Sequence, residues 1–420
     1  MNNRKEKLIS IFLGLYAAST LISMATMSIG VLFLVLASGL SYSPDRFRAF
    51  HSRRIVRTYA VLTTLLFLGL MISITRQKFF PFAVFGNTFE PQYWDECKKF
   101  MYFLNPLLLA FTLFDKKKED LYKLLSSQWM TLGLLSIIGV QQIWTGLPKT
   151  TNCAYLTSEK VLHCSTLWIG LTHSLTSNYV LVFFSLLAAF FVRVKIGIFG
   201  NRFLHFFTLL VSFLTLIGTF SRWIWFTIPI GLAVLISVRL PKKVALLFLI
   251  LGTLFVLLLD HVPLVHNRVH YKYGYEDRIV LWNGNIELFK QHPILGVGWR
   301  QSSKLVDGAV KFYYGSRGEK VPGEYFQSHA HNTYLETLSS TGLVGLALFL
   351  IWNLWILAEA WKGLKDPEWG WWFSGFIAGM IVVHLNGITQ VNFWDSKVFH
   401  QIMFQFGIFL LLKFKQNKII

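Results

Sequence analysis

The sequence predicts an all-α polytopic membrane protein with about 12 transmembrane helices and a large extracytoplasmic loop. Hydrophobic residues make up 54% of the 420-residue chain and charged residues only 15%, whereas a soluble domain usually carries about 25% charge. Apolar runs of about 17–25 residues, long enough to cross a bilayer as helices, recur along nearly the whole length. Basic residues gather in the short segments between these runs, as they do in the cytoplasmic loops of membrane proteins.

Twelve spans are predicted from the apolar runs. They cover residues 8–23, 25–40, 59–76, 99–114, 124–144, 179–193, 206–220, 223–238, 244–260, 335–358, 371–390 and 398–414. The first run follows a basic start, has no small-residue cleavage site and is followed at once by further spans. It is therefore predicted to be a retained span rather than a cleaved signal peptide.

The basic residues predict the orientation. If the N-terminus is cytoplasmic, the segments on that side hold 23 of the 40 Lys and Arg residues, and the short outer segments hold eight. The other nine lie in the segment 261–334, and long loops translocate largely regardless of their charge. Both termini are therefore predicted to be cytoplasmic. The net charge of +19 is explained by this bias, and no nucleic-acid-binding motif accompanies it.

The chain is predicted to form one membrane domain over residues 1–420, with two large outer loops at 145–178 and 261–334. The second loop is rich in His, Arg, Tyr and Gly. Long loops with such content are more often functional than idle, so this loop is the predicted place of the catalytic motifs.

The sharpest motif is His329-Ala330-His331-Asn332, which is followed by Gly342-Leu343-Val344-Gly345 at the predicted entrance to the tenth span. The two glycines are three positions apart, so they are expected on one helix face, where they permit close backbone packing. The alternative is a loop histidine beside a packing helix.

Two arginines stand out in the outer segments. Arg222 lies at the predicted turn of a hairpin made from the apolar run 206–238. A charge among apolar residues is costly in a membrane and is by default functional, although an interfacial arginine also snorkels to water. Arg278 lies in a predicted short amphipathic helix that ends at His292-Pro293. The alternative for Arg278 is a solvated charged helix.

Together these three segments resemble the O-antigen ligase family, which shares its membrane domain with O-antigen polymerases and protein O-oligosaccharyltransferases. The family motif of His, a polar residue, nine residues and Gly-x-x-Gly is similar to His331, Asn332, Gly342 and Gly345, with Leu346 departing at the next position. The hairpin arginine of the family matches Arg222. Its loop arginine, four residues before a Trp and ahead of Pro-x-x-Gly-x-Gly, matches Arg278. The resemblance implies a GT-C-like membrane glycosyltransferase.

The chemistry of the residues leads to the same roles. A polyprenyl diphosphate is a good leaving group that needs positive charge, and Arg222 and Arg278 supply donors matched to phosphate. A sugar hydroxyl needs a base, and His331 is the predicted base because histidine titrates near neutrality. Asn332, Gly342, Gly345 and His329 are predicted to support it. Inversion follows from one direct displacement at the anomeric carbon.

The resemblance implies an undecaprenyl-diphosphate-linked glycan donor and a lipid A-core acceptor, in the periplasmic leaflet of the bacterial inner membrane. Membrane lipids are the other expected partners, with no nucleic acid. No metal or other cofactor is expected, since the chain has no Asp-x-Asp pair. A set formed by His329 and His331 with His266 or His270 is the metal-binding alternative.

Two other functions compete with the ligase. A polymerase of the same superfamily would use similar motifs on a different acceptor. A polysaccharide transporter would carry out no covalent chemistry, but ion-coupled transporters usually need acidic residues within their spans, and the predicted spans hold almost none.

The three cysteines are Cys97, Cys153 and Cys164. The second and third both lie in the 145–178 loop, which is assigned to a compartment that permits disulfides. A disulfide between Cys153 and Cys164 is predicted, with two unpaired thiols as the alternative. Cys97 would remain unpaired, and its side chain is expected to pack against its neighbours rather than react.

Overall fold

A computed structural model gives the fold. It describes residues 2–22, 24–79, 101–145, 153–155, 162–164, 176–193, 196–219, 221–238, 241–259, 261, 276–322 and 329–416. Nearly all of the described chain is helical, as the composition predicted. Its α-helices are α1 (Asn2–Ile22), α2 (Met24–Ser41), α3 (Pro44–His51), α4 (Arg54–Phe79), α5 (Asn105–Leu113), α6 (Lys118–Thr145), α7 (Thr176–Phe191), α8 (Arg202–Gly218), α9 (Arg222–Ser237), α10 (Lys242–Leu259), α11 (Glu276–Gln291), α12 (Ser302–Gly315), α13 (Thr333–Gly363), α14 (Gly370–Asn386) and α15 (Ser396–Gln416). Short 3₁₀ helices cover Met101–Leu104 and Gly197–Gly200.

The last helix, α15, lies at the centre of the bundle. Its most apolar stretch is 94% buried, and the helix packs against α1, α4, α5 and α7. Gly407 is the point of closest approach to α5, because a Cβ at this position would lie 2.8 Å from the side chain of Leu109. The buried aromatic residues Trp352 and Phe376 from α13 and α14 pack against Phe406 of the same helix.

A second, smaller core joins α11 and α12. It consists of apolar side chains on the facing sides of the two helices and in the turn between them, namely Val280, Leu281, Leu288, Val297, Leu305, Val306, Ala309, Val310 and Tyr314. The helix pair packs on α13. The described part of the predicted loop 261–334 is therefore a helical hairpin with its own apolar core.

Four helices are long and apolar enough to cross a membrane among the residues described. They are Arg54–Thr75, Lys118–Gln142, Thr333–Gly363 and Ser396–Gln416. A bent pair, Ala25–Ser41 with Pro44–His51, makes a fifth if it is one span. Each of the twelve predicted spans overlaps with helical residues, but the structure does not confirm twelve crossings.

Two helical segments differ from the prediction, and one predicted break agrees with it. The span predicted over 371–390 ends as a helix at Asn386, because the carbonyl of Gly387 turns away to accept a bond of 2.7 Å from the backbone N–H of Thr333. The span predicted over 99–114 becomes a 3₁₀ turn followed by a nine-residue helix. The break predicted near Ser221 is present, since α8 ends at Gly218 and α9 begins at Arg222.

A two-stranded antiparallel hairpin, which the sequence pattern did not predict, lies in the 145–178 region. Strand β1 covers Cys153–Tyr155 and strand β2 covers Leu162–Cys164. The register places Cys153 directly opposite Cys164.

Candidate active site

The His329–His331 segment forms a tight turn immediately before α13. His331 has a left-handed backbone with φ 47°, a conformation that His adopts more readily than most residues. Its backbone N–H donates to Nδ1 of His329 at 3.2 Å, and the two imidazole rings lie 4.3 Å apart between centroids. The turn brings both histidines to one end of the helix, on partly exposed positions.

The residue between the two histidines holds this turn in place. Ala330 is fully buried, and its N–H donates to Oε2 of Glu336 at 2.9 Å. Its carbonyl accepts from Nε1 of Trp282 at 2.8 Å. The other carboxylate oxygen of Glu336 accepts from Oγ of Ser302 at 2.5 Å. Helices α11, α12 and α13 therefore each contribute one side chain that fixes the turn.

Asn332 starts the helix. Its Oδ1 accepts from the backbone N–H groups of Tyr334 and Leu335 at 2.9 and 3.0 Å, which satisfies two donors that lack partners at a helix N-terminus. The conformation of the preceding histidine is thus coupled to the helix start. The support role predicted for Asn332 stays a prediction, and its contacts are those of an N-cap.

The glycine motif has a different role from the one expected. Gly342 has φ 66° and ψ −168° and interrupts α13, a backbone region that is essentially restricted to glycine. Gly342 and Gly345 therefore do not share the face of a continuous helix. At Gly345 a Cβ would lie 2.0 Å from Oγ1 of Thr341, so this glycine makes room for a side chain of its own helix.

The interruption at Gly342 packs against the turn that follows α11. A Cβ on Gly342 would lie 2.3 Å from the backbone of Ile294, and a Cβ on Gly296 would lie 2.3 Å from the backbone of Ser340. Gly296 has φ 68°. We refer to this contact between the Pro293–Gly298 turn and Ser339–Val344 as the glycine crossing. Two separate motifs of the sequence thus meet backbone to backbone.

Hydrogen bonds at the glycine crossing replace those that the helix loses. The carbonyls of Ser339 and Ser340 accept from Val297 and Gly298 at 3.0 and 2.9 Å, and the N–H groups of Leu343 and Val344 donate to Pro293 and Ile294 at 2.8 and 3.2 Å. Unpaired backbone groups are costly in an apolar surrounding, so a broken helix needs such partners. The crossing therefore joins α11 rigidly to α13.

Arg278 lies close to the histidine turn. It is half-buried and stands one helical turn before Trp282, whose indole contacts Ala330, so that the two residues share a face of α11. Its positive charge lowers the pKa of both His329 and His331. The structure therefore brings Arg278 and the two histidines together. The backbone of Arg222 begins α9, and its side chain lies outside the described part of the chain.

Burial dominates the titration of the two histidines. It lowers the pKa of His331 to about 4, and the neighbouring His329 and Arg278 add to this decrease. The pKa of His329 is lowered by burial and then by Arg300 and Arg278. Both imidazoles are therefore neutral at pH 7, so each has one ring nitrogen that carries no proton.

Several residues of the site were missed by the sequence prediction. Oε1 of Gln390 lies 3.2 Å from Nδ1 of His331. Glu336 and Trp282 hold the turn, and Arg300 acts electrostatically on His329. A left-handed backbone at Arg300, with φ 56°, has no signature in the sequence. The available signal for Gln390 was the polar run Asn386-Gly387-Ile388-Thr389-Gln390, which is unusual inside a predicted span.

No group of three or more His, Cys, Asp or Glu side chains that could hold a metal ion occurs among the residues described. The metal-binding alternative involved His266 and His270, which lie outside the described residues.

Comparison with known protein families gives one match that covers this site. Residues 207–350 match the family model of the O-antigen ligase, a segment that contains Arg222, Arg278, His331 and both glycines of the crossing. No curated protein matches the chain. The match spans about a third of the sequence, from within α8 to residue 350 within α13. The resemblance predicted from the three motifs is thereby confirmed: residues 207–350 are similar to the O-antigen ligase family.

Proposed function

We propose that this protein is an O-antigen ligase that transfers a glycan from undecaprenyl diphosphate to a sugar hydroxyl of lipid A-core. The observation that carries the proposal is that a neutral, partly exposed His331 at the start of α13 lies within electrostatic reach of Arg278, and that both belong to the segment that matches the ligase family model. One group accepts a proton and the other attracts an anion, which are the two requirements of such a transfer.

The reaction is a direct displacement at the anomeric carbon. The acceptor oxygen forms the new bond to this carbon while the bond between the carbon and the diphosphate oxygen breaks, and the diphosphate leaves with the electron pair. The hydroxyl proton passes to His331, which acts as general base. Arg278 and Arg222 bind the diphosphate with planar, bidentate donors. A single displacement inverts the anomeric configuration and requires no metal ion.

The proposed location is the bacterial inner membrane. Twelve crossings with both termini in the cytoplasm place the end of α13 that bears His331 at the periplasmic face, where the lipid-linked donor and the lipid A-core acceptor are presented. This orientation is supported by the excess of basic residues in the segments assigned to the cytoplasm. Labelling of the Lys7→Cys and Lys304→Cys variants, in a chain whose three native cysteines are replaced by serine, tests it, since only Lys304→Cys should react from outside.

Gene disruption followed by lipopolysaccharide profiling tests the function. A ligase mutant should leave lipid A-core bare while the glycan polymer accumulates on its carrier. A mutant in a polymerase of the same superfamily should instead leave the core capped with a single unit. Accumulation of carrier-linked glycan on the cytoplasmic side would indicate the transporter. Complementation with the wild-type gene, and failure of the His331→Ala gene to complement, ties the phenotype to the proposed site.

A further inference from the structure

His331 has two ring nitrogens, and among the residues that the structure describes only Nδ1 has a side-chain partner. Nδ1 lies 3.2 Å from Oε1 of Gln390. An amide oxygen accepts hydrogen bonds and has no proton to donate, so Nδ1 carries the proton and Nε2 keeps its lone pair. We infer that Gln390 is the positioning residue that fixes this tautomer of His331 and thereby makes Nε2 the base. The inference rests on the proposed function and extends it to a residue outside the family-matched segment.

Gln390 is held by the same helix end that bears His331. Its backbone carbonyl accepts from Oγ1 of Thr333 at 2.9 Å, and the backbone N–H of Thr333 donates to the carbonyl of Gly387 at 2.7 Å. Thr333 is two positions after His331 and fully buried. Thr333 therefore fixes the positions of both His331 and Gln390, so the distance between these two side chains does not depend on a flexible loop.

A second contact fixes the loop from the other side. Oδ1 of Asn392 lies 3.0 Å from Oγ1 of Thr333, and its amide nitrogen donates to the carbonyl of Val383 and to Oγ of Ser177, both at 2.8 Å. Asn392 is fully buried. The loop after α14 is thus hydrogen-bonded to α13, α14 and α7, which fixes the backbone from which the Gln390 side chain extends.

The neutrality of Gln390 matters as much as its position. His329, Arg278 and Glu336 are the charged or titratable groups that act on His331, and Arg300 acts on His329. Both carboxylate oxygens of Glu336 already accept hydrogen bonds from Ser302 and Ala330. A carboxylate in place of the Gln390 amide would favour the imidazolium, because an opposite charge at this distance shifts a pKa by about 1–3 units. The hydrogen bond of the Gln390 amide also raises the pKa of His331, but burial lowers this pKa more strongly. The amide therefore orients the ring while the base stays unprotonated at neutral pH.

The pH dependence of transfer tests this role. Gln390→Glu should move the acid limb of the pH–rate profile upward by about 1–3 pH units, so that transfer at pH 5 falls by about half or more and is largely kept at pH 8. Gln390→Asn, whose shorter side chain cannot reach Nδ1, should lower the rate at every pH at which the wild type is active. Gln291→Glu makes the same charge change on an exposed residue at the end of α11 and should follow the wild-type profile. A wild-type profile and rate in Gln390→Glu would overturn the inference.

A measurement that does not depend on transfer separates this inference from the proposed function. In protein labelled with ¹⁵N-histidine, the imidazole signals of His331 are identified by their absence in His331→Ala. The wild type should show a protonated Nδ1 and an unprotonated Nε2, and Gln390→Asn should lose this preference. The reverse tautomer in the wild type would overturn the inference even if His331 proves essential. Conversely, full transfer in His331→Ala would overturn the catalytic proposal and leave the tautomer result standing.

Discussion

The two halves of α13 are built in opposite ways. From Thr333 to Thr341 the helix is polar, and the side chains of Thr333, Glu336, Thr337, Ser339, Ser340 and Thr341 are buried, with 4% exposure or less. Beyond Gly342 the outer face is apolar, and Leu354 and Trp361 are 62% and 61% exposed. The first half is therefore surrounded by protein, and the second half presents its apolar face outward.

This difference shows how a membrane protein accommodates a polar active site. Polar groups at membrane depth need partners from the chain itself, and in the first half α11, α12 and the loop after α14 supply them. Leu and Trp side chains need no such partners and suit a lipid-facing surface. Gly342 marks the change between the two environments, since it lies within the crossing with the Pro293–Gly298 turn.

The largest expected effect is the loss of glycan transfer when His331, the proposed base just before the buried half of α13, is replaced. His331→Ala should lower the transfer rate by about 100-fold or more, the range that general-base catalysis contributes. His329→Ala should be milder, because His329 supports the turn rather than the proton transfer. Leu354→Ala in the outward-facing half should leave the rate unchanged. An in vitro assay with a lipid-linked donor measures all three, and near-normal transfer by His331→Ala would contradict the mechanism.

The glycine crossing offers a graded test of the junction between the halves. Gly342→Ala combines a left-handed backbone with a clash against Ile294 and should destabilise the protein by at least about 2 kcal/mol. Gly318→Ala has φ 69° but open space around its Cβ, so only the backbone cost of about 1–2 kcal/mol applies.

Gly315→Ala has neither feature and should be neutral or slightly stabilising, since it lies at the end of α12. Thermal unfolding in detergent compares the three variants. Equal losses of stability for Gly342→Ala and Gly318→Ala would show that the contact with Ile294 does not contribute to the cost of the substitution.

The arginines test whether the anion site beside the buried half needs a planar group. Arg278→Lys and Arg222→Lys should each lower transfer by about 10-fold, because Lys keeps the charge but loses the bidentate donors. Arg317→Lys is the control, since this arginine lies over the ring of Tyr313 on the α11–α12 hairpin. Added EDTA should not inhibit. Full activity of both Lys variants, or inhibition by EDTA that a divalent cation reverses, would contradict the proposed mechanism.

The smallest expected effect on transfer concerns the β-hairpin. Directly paired residues of antiparallel strands have Cα atoms about 4.5–5.5 Å apart, within the range that a disulfide requires, so the register supports the predicted bridge between Cys153 and Cys164. Closing a loop of this size stabilises a protein by roughly 3 kcal/mol in the chain-entropy model.

Loss of the bridge should loosen the 145–178 loop and leave every proposed catalytic group in place. Thiol labelling of denatured, unreduced protein counts the free cysteines. One accessible cysteine, Cys97, supports the bridge, whereas three would reject it.

Some properties of this protein were determined by local sequence alone. The apolar runs specified helices because a hydrophobic period and a lack of breakers act within a few turns, and each predicted span coincides with helical residues. The motifs around Arg222, Arg278 and His331 predicted the similarity to the O-antigen ligase family that residues 207–350 show, because such motifs depend on residue type and spacing, which the sequence states directly.

Other properties were decided only by the tertiary structure. The neighbouring sequence does not distinguish a glycine that packs within a helix from one that interrupts the helix. Gly342 interrupts α13 because the turn at Ile294, 48 positions earlier in the chain, occupies the adjacent space. The partner of His331 is likewise 59 positions away at Gln390. Hydrogen bonds between segments so distant along the chain depend on how the helices pack, and periodicity carries no information about which polar side chain will face which.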